Sequence, residues 1–298
     1  MSVPTDASVR RVWLKRVGYA AGVLLLLGAI ATVFSRRATI TAALGAVTPP
    51  APGPAAALLA CVFANIALSA VFLRLLLLRF GRVGSGEMLA VVSATTLLNF
   101  LPLRPGLFGR IAYHRQVNGI RVADTARTVV EAAVISVAIV GVLAVVIVVN
   151  ATIGWSLWAG AISPLPILAV VAISSPWRLW ALVILVRYAE VFVWALRYHL
   201  AFVLLEAPVP PHVALAFACV SVMATMIPFI SNGLGVREWA IGLLAPVLTT
   251  HRLELGVTAE LVNRAAELLV IGGAGVVAMA WLARRGQTAG LRPPDHSP

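Results

Sequence analysis

Apolar stretches of about 20 residues recur along this chain, each long enough to cross roughly 30 Å of hydrocarbon, and they leave few choices of fold. Inside a bilayer every backbone N–H and C=O must be satisfied within the protein, so such stretches are helices. With 61% hydrophobic and 11% charged residues, the chain lies among integral membrane proteins rather than soluble domains. The net charge of +12 is carried almost wholly by arginine, Lys15 being the lone lysine. In a soluble protein that excess would suggest nucleic acid. Here the basic residues gather at the ends of the apolar stretches, so they report topology and attraction to anionic lipid, and no nucleic-acid partner is expected.

Charge placement sets the expected course of the chain. Arg10, Arg11, Lys15 and Arg16 hold the N-terminus in the cytoplasm ahead of an uncleaved first span at about 17–34. A second span, about 55–78, returns to Arg74, Arg79 and Arg82. The next stretch, about 87–101, is only some 15 residues and runs into Arg104, Arg110, Arg115, Arg121 and Arg127. It is expected to dip into the membrane and return on the same side. Spans at about 128–149, 156–174 and 179–204 follow. Residues 213–248 form a second dipping hairpin from the opposite side, and a last span at about 265–283 returns to a cytoplasmic C-terminus. The expected fold class is all-α integral membrane, with about six spanning helices and two re-entrant hairpins in an inverted repeat. Residues 1–285 form one polytopic domain, with halves at about 55–150 and 179–283 and a disordered cytoplasmic tail at 286–298.

The two hairpins carry related interruptions. The first reads Asn99, Phe100, Leu101, Pro102, Leu103, Arg104, Pro105, Gly106, Leu107, Phe108, Gly109, Arg110. The second runs from Met226 and Pro228 through Ser231, Asn232, Gly233, Leu234, Gly235 and Val236 to Arg237 and Glu238. Paired Pro/Gly breaks in matching halves mark the binding site of repeat-built transporters, because a helix restarting at membrane depth aims free N–H groups at the break. Candidate substrate-binding residues are therefore Arg104, Gly106, Arg110, Ser231, Asn232, Gly233, Gly235, Arg237 and Glu238, with guanidinium groups suited to phosphate and Ser231 or Asn232 placed to cap the second restart.

Charges within apolar stretches are expensive and by default functional. Glu190, with Arg187 three residues before it and Trp194 and Arg197 on the same helical face, lies near the middle of one span. Glu131 and Glu267 each follow an arginine within about a turn, Arg127 and Arg264 respectively. Glu131, Arg187, Glu190, Arg264 and Glu267 are the candidate charge-coupling residues, with local ion pairing as the structural alternative. Asn65, Asn99 and Asn263 either line the same cavity or bond across helices. Cys61 and Cys219 read as small packing residues. Of the five histidines, His114, His199, His212 and His251 are isolated in sequence, and no metal spacing, nucleophile with a nearby base, phosphate loop or dinucleotide fingerprint is present, so no metal, cofactor or catalytic residue is expected.

The two interruptions resemble the signatures of the transmembrane, flippase-like region of lysylphosphatidylglycerol synthases and their stand-alone relatives. Asn99, Leu101, Pro102, Arg104, Gly106, Arg110, Gly119 and Ile120 match the first, with Leu107 where that family has a glutamate. Pro228, Gly233, Leu234, Gly235, Val236, Arg237 and Glu238 match the second, and Arg264 agrees as the arginine near the start of the last span. The resemblance spans about residues 15–285. It implies a non-enzymatic inner-membrane protein that moves an anionic phospholipid or lipid-linked headgroup between leaflets. The chain is expected to be a stand-alone member without the aminoacyl-transferase domain, working beside a lipid-modifying enzyme. Two alternatives stay open: an intramembrane enzyme acting on a lipid phosphate, and a non-transporting scaffold for a lipid-modifying pathway.

Overall fold

The computed structural model describes residues 52–101, 104–153, 160–161, 164–174, 177–227 and 231–290. The expected span at 17–34, most of the 156–163 stretch and the tail from 291 lie outside them. Among the described residues all regular structure is helical: α1 (Pro52–Leu77), α2 (Ser85–Leu98), α3 (Pro105–Gln116), α4 (Val122–Ile153), α5 (Pro164–Ser174), α6 (Arg178–Leu204), α7 (Pro211–Thr225), α8 (Val236–Leu248) and α9 (Leu253–Gly290). Proline opens α3 and α7 at their first turns, where a missing N–H costs nothing.

Four helices, α1, α4, α6 and α9, are long and apolar enough to cross a membrane. At 1.5 Å per residue even the 26 residues of α1 reach about 39 Å. The last helix departs from the sequence reading at both ends. It begins at Leu253 rather than near 265, and it continues to Gly290, so 286–290 are helical and not tail. Its early start brings Glu260 and Asn263 into regular structure, on the turns that precede Arg264 and Glu267.

Helix order repeats as long, short, short, long: α1 to α4, then α6 to α9, with α5 between. The contacts repeat too. Exchanging α1 for α6, α2 for α7, α3 for α8 and α4 for α9 converts each packing between these helices into another that exists. Thus α1 on α2 becomes α6 on α7, α9 on α2 becomes α4 on α7, and α8 on α9 becomes α3 on α4. The central pair, α1 and α6, maps onto itself and runs antiparallel. Asn65 faces both Arg197 and Glu190, Ser69 reaches Glu190, and Phe72 lies under Arg187, so one numbering rises as the other falls.

Each short pair is a helical hairpin whose ends return to one place. Glu87 at the start of α2 accepts hydrogen bonds from Tyr113 at the end of α3 and from Asn118 beyond it (3.0 and 2.9 Å). Arg285 at the end of α9 reaches the same carboxylate. The second hairpin has both ends beside the C-terminal part of α6, where His199 meets Val209 and Phe202 stacks on His251. Small residues allow the close packing. A Cβ on Gly106 would lie 1.9 Å from the Thr95 carbonyl oxygen, and one on Gly256 of α9 would lie 2.7 Å from the Ile241 carbonyl oxygen of α8.

Candidate functional site

The breaks of the two hairpins touch. Arg104 reaches the C-terminal end of α7, donating from Nη2 to the Thr225 carbonyl (2.9 Å) and from Nη1 to that of Ile227 (3.4 Å). Free carbonyls and the negative end of the α7 dipole both favour a cation there. Each restart is reached through a left-handed residue, Arg104 (φ 50°) before α3 and Gly235 (φ 78°) before α8, and neither carries a side-chain cap. Gly235 thus holds the capping position expected of Ser231 or Asn232, which instead lie in a single 3-10 turn with Asn232 itself left-handed (φ 46°). Three left-handed residues in four, Asn232, Gly233 and Gly235, turn the chain too sharply for an earlier cap.

Behind the second break lies a buried charge cluster. Arg237, immediately after the restart, is fully enclosed and directs Nη1 at both oxygens of Glu267 (3.0 and 3.2 Å). Its Nη2 lies 2.8 Å from Glu260, close but not aligned as a hydrogen bond. Arg197 on α6 donates to Glu267 (2.6 Å) and to Asn263. Arg264 spans Glu238 (3.1 Å), Glu267 (3.5 Å) and the Asn232 carbonyl (3.1 Å). The Trp194 ring sits against the guanidinium groups of Arg197 and Arg237, at 3.9 and 4.8 Å from its centroid. Three arginines therefore face three glutamates, all buried, with α6, α8 and α9 each contributing.

The first break is built differently. Among the described residues, no carboxylate lies in ion-pair range of Arg104 or Arg110. Arg110 donates to the Thr95 hydroxyl (3.0 Å), and its buried Nε has no partner. The buried Asn99 Oδ1 is also unpartnered. Burying cations beside neutral oxygens alone is unfavourable unless an anion completes the site.

The remaining candidates separate by place. Glu190 binds Arg187 (2.6 Å) and accepts from Ser69 (2.6 Å), and it lines a polar cavity of about 80 Å³ with Asn65, Thr96, Asn232, Arg197 and Glu267. Glu131 lies apart from this cluster, held by Arg79 and Arg127 beside the Arg79–Trp180 contact at the start of α6. Gly106 is committed to packing against α2, and Gly233 sits over the aliphatic part of Arg237. Glu238 is buried, with one oxygen on Arg264 and the other unpartnered.

Glu260, Tyr198 and Ser221 were not singled out by sequence. Tyr198 donates to Glu260 Oε2 (2.6 Å) and makes a short hydroxyl contact with Ser221, while Asn263 Nδ2 also donates to that oxygen (3.2 Å). A signal existed: Glu260, Asn263, Arg264 and Glu267 follow the i, i+3, i+4, i+7 spacing of one helical face. A span expected from about 265 hides it, because the helix begins twelve residues earlier, at Leu253.

Comparison with protein-family models, with curated proteins and with solved structures gives no match.

Proposed function

We propose that this protein moves an anionic phospholipid or lipid-linked headgroup between membrane leaflets, as the resemblance to the lysylphosphatidylglycerol synthase membrane region implies. In this reading the two hairpins are re-entrant, enter from opposite faces and meet near the midplane. The halves form an inverted repeat, six helices span the inner membrane, and both termini are cytoplasmic. The antiparallel α1–α6 pair and the exchange of contacts between halves support the inversion.

One observation carries the functional reading: the hairpin breaks meet at Arg104, and the two arginines there, Arg104 and Arg110, have no carboxylate among the described residues to balance them. A lipid phosphate supplies the missing charge. Arg110 holds it through its unpartnered Nε, with Thr95 alongside. Arg237, Glu238, Arg264 and Glu267 tie the second hairpin to α9 and α6, and they transmit its movement. Glu190, held by Arg187, lends the adjoining cavity its polarity together with Arg197 and Glu267, and the Asn232–Gly235 turn is the hinge.

The test is leaflet exchange of labelled anionic and zwitterionic phospholipids in liposomes holding the pure protein. Wild type is expected to favour the anionic lipid, and Arg110→Ala to lose that preference while staying folded. Equal exchange of both lipids by wild type, or an unchanged preference in Arg110→Ala, removes the phosphate assignment. Folded protein that moves no lipid removes the transport reading.

A further inference from the structure

Of the three buried glutamates beside Arg237, Glu260 differs in what holds it. Glu267 takes hydrogen bonds from three guanidinium groups, and Glu238 takes two from Arg264. On Glu260 every aligned donor is neutral: Tyr198 and Asn263 both bond Oε2. Its Oε1 is enclosed and without a hydrogen bond, with Arg237 Nη2 nearby but off line. Adding a proton to Glu260 therefore breaks no charged hydrogen bond, whereas protonating Glu267 breaks several. Tyr198 can rotate its hydroxyl from Glu260 to Ser221 on α7, which gives the proton a route across hydroxyl groups.

The surroundings are specified on every side. Arg237 and Glu238 face Glu260 from α8, Tyr198 from α6, Ser221 from α7, and Asn263, Arg264 and Glu267 from α9 itself, with Arg197 of α6 one step behind on Asn263 and Glu267. With all six charged groups ionised the cluster is neutral, three cations against three anions. Neutralising Glu260 leaves three against two, a positive excess that an anion at the adjoining hairpin tips offsets. It also removes one of the two carboxylates that hold Arg237, and so α8, in place.

We propose that Glu260 is a proton-binding site, reached through the Tyr198–Ser221 hydroxyl pair, and that its protonation loosens the second hairpin and favours anion binding. In the relay Glu260 Oε2 takes the Tyr198 hydroxyl proton, Tyr198 takes that of Ser221, and Ser221 is reprotonated from the aqueous phase, so that one proton is gained in net and Glu260 passes from carboxylate to carboxylic acid. By linkage, an anion that binds the protonated form better raises proton affinity by the same factor. The link to anion binding rests on the function proposed above, but the protonation does not.

Infrared difference spectra of the full-length protein in detergent, between neutral and mildly acidic pH, test the protonation without any lipid. A carboxylic-acid C=O band is expected in wild type and in Glu190→Gln, and is expected to be missing in Glu260→Gln. The band surviving in Glu260→Gln overturns the proposal. If that variant does not fold, Tyr198→Phe decides: it is expected to slow appearance of the band at least tenfold after a pH jump, and an unchanged rate overturns the relay. Binding of dihexanoyl phosphatidylglycerol, whose phosphodiester does not titrate in this range, tests the link. Affinity should strengthen by up to about tenfold per pH unit of acidification in wild type and stay flat in Glu260→Gln. An equal slope in both overturns the link. A wild type that binds proton and lipid yet moves no lipid leaves this inference in place and removes the transport reading.

Discussion

The two hairpin breaks share a form, a Pro/Gly interruption, a left-handed residue and a restart, yet they treat their arginines in opposite ways. At the second, Arg237 and Arg264 are locked among Glu238, Glu260 and Glu267. At the first, among the described residues, Arg104 and Arg110 bond only carbonyl and hydroxyl oxygens. An arginine already balanced inside the protein has nothing left to offer a phosphate. One balanced only by neutral dipoles still has most of its charge to give. The difference teaches that matching motifs in two halves need not do matching work: the second break is tied by ion pairs to the helices behind it, and the first is the one proposed to receive an anion.

The comparison breaks most visibly at Glu267. Replacing it with Ala leaves Arg197, Arg237 and Arg264 with one carboxylate fewer in a buried cluster, a loss of about 3–5 kcal/mol. The expected outcome is a large drop in thermal midpoint in detergent, or no folded protein. A midpoint close to wild type would mean that water enters the cluster and screens it. Next comes Gly106→Val, which drives side-chain atoms into the Thr95 carbonyl and forces the first hairpin open at about 1–3 kcal/mol. The same unfolding assay reads it.

Smaller effects sharpen the contrast. Arg110→Ala removes a single hydroxyl hydrogen bond, so its stability should change by no more than about 1 kcal/mol. Anionic-lipid exchange, in contrast, should fall at least tenfold, a divergence no second-break arginine should give. Arg104→Lys keeps the charge and loses the double grip on Thr225 and Ile227. About 1 kcal/mol is expected, with the hairpin tips exchanging amide hydrogens faster.

The smallest expected effect is at His114, outside the four long apolar helices. Its ring is buried, with Nδ1 on Asn118 and Nε2 unpartnered, and burial pushes its pKa below the usual value of 6.5. The folded protein holds this ring neutral while the unfolded chain protonates first. Its contribution is thus full above about pH 6.5 and is lost as pH falls below it. Unfolding midpoints between pH 8 and 5 should show a slightly shallower acid decline in His114→Asn than in wild type.

Much of this arrangement was legible in order along the chain. Apolar length marks α1 and α6 within about three residues and α4 within about six, and local spacing gives the Arg187–Glu190, Arg127–Glu131 and Arg264–Glu267 pairs. Proline and glycine locate both breaks. The start of α9 was not legible, because Glu254, Glu260 and Arg264 make its first turns look like a polar loop. Only burial against α6 and α8 shows why they are helical. Nor could spacing reveal that Arg237 turns inward. Its partners lie 23 and 30 residues away in sequence, on a helix whose rotation is set by Gly242 and Gly256 packing together.

By itself, the sequence determined that the described residues are helical, where α1, α4 and α6 run and where two segments break. These follow from local terms, hydrocarbon length and backbone freedom, that act within a few residues. Tertiary structure alone decided which charges cancel. Ion pairing depends on distances between helices, and three arginines of identical chemistry become anchors because Glu238, Glu260 and Glu267 fold against them. Arg104 and Arg110 keep neutral partners because, among the described residues, no carboxylate folds against them.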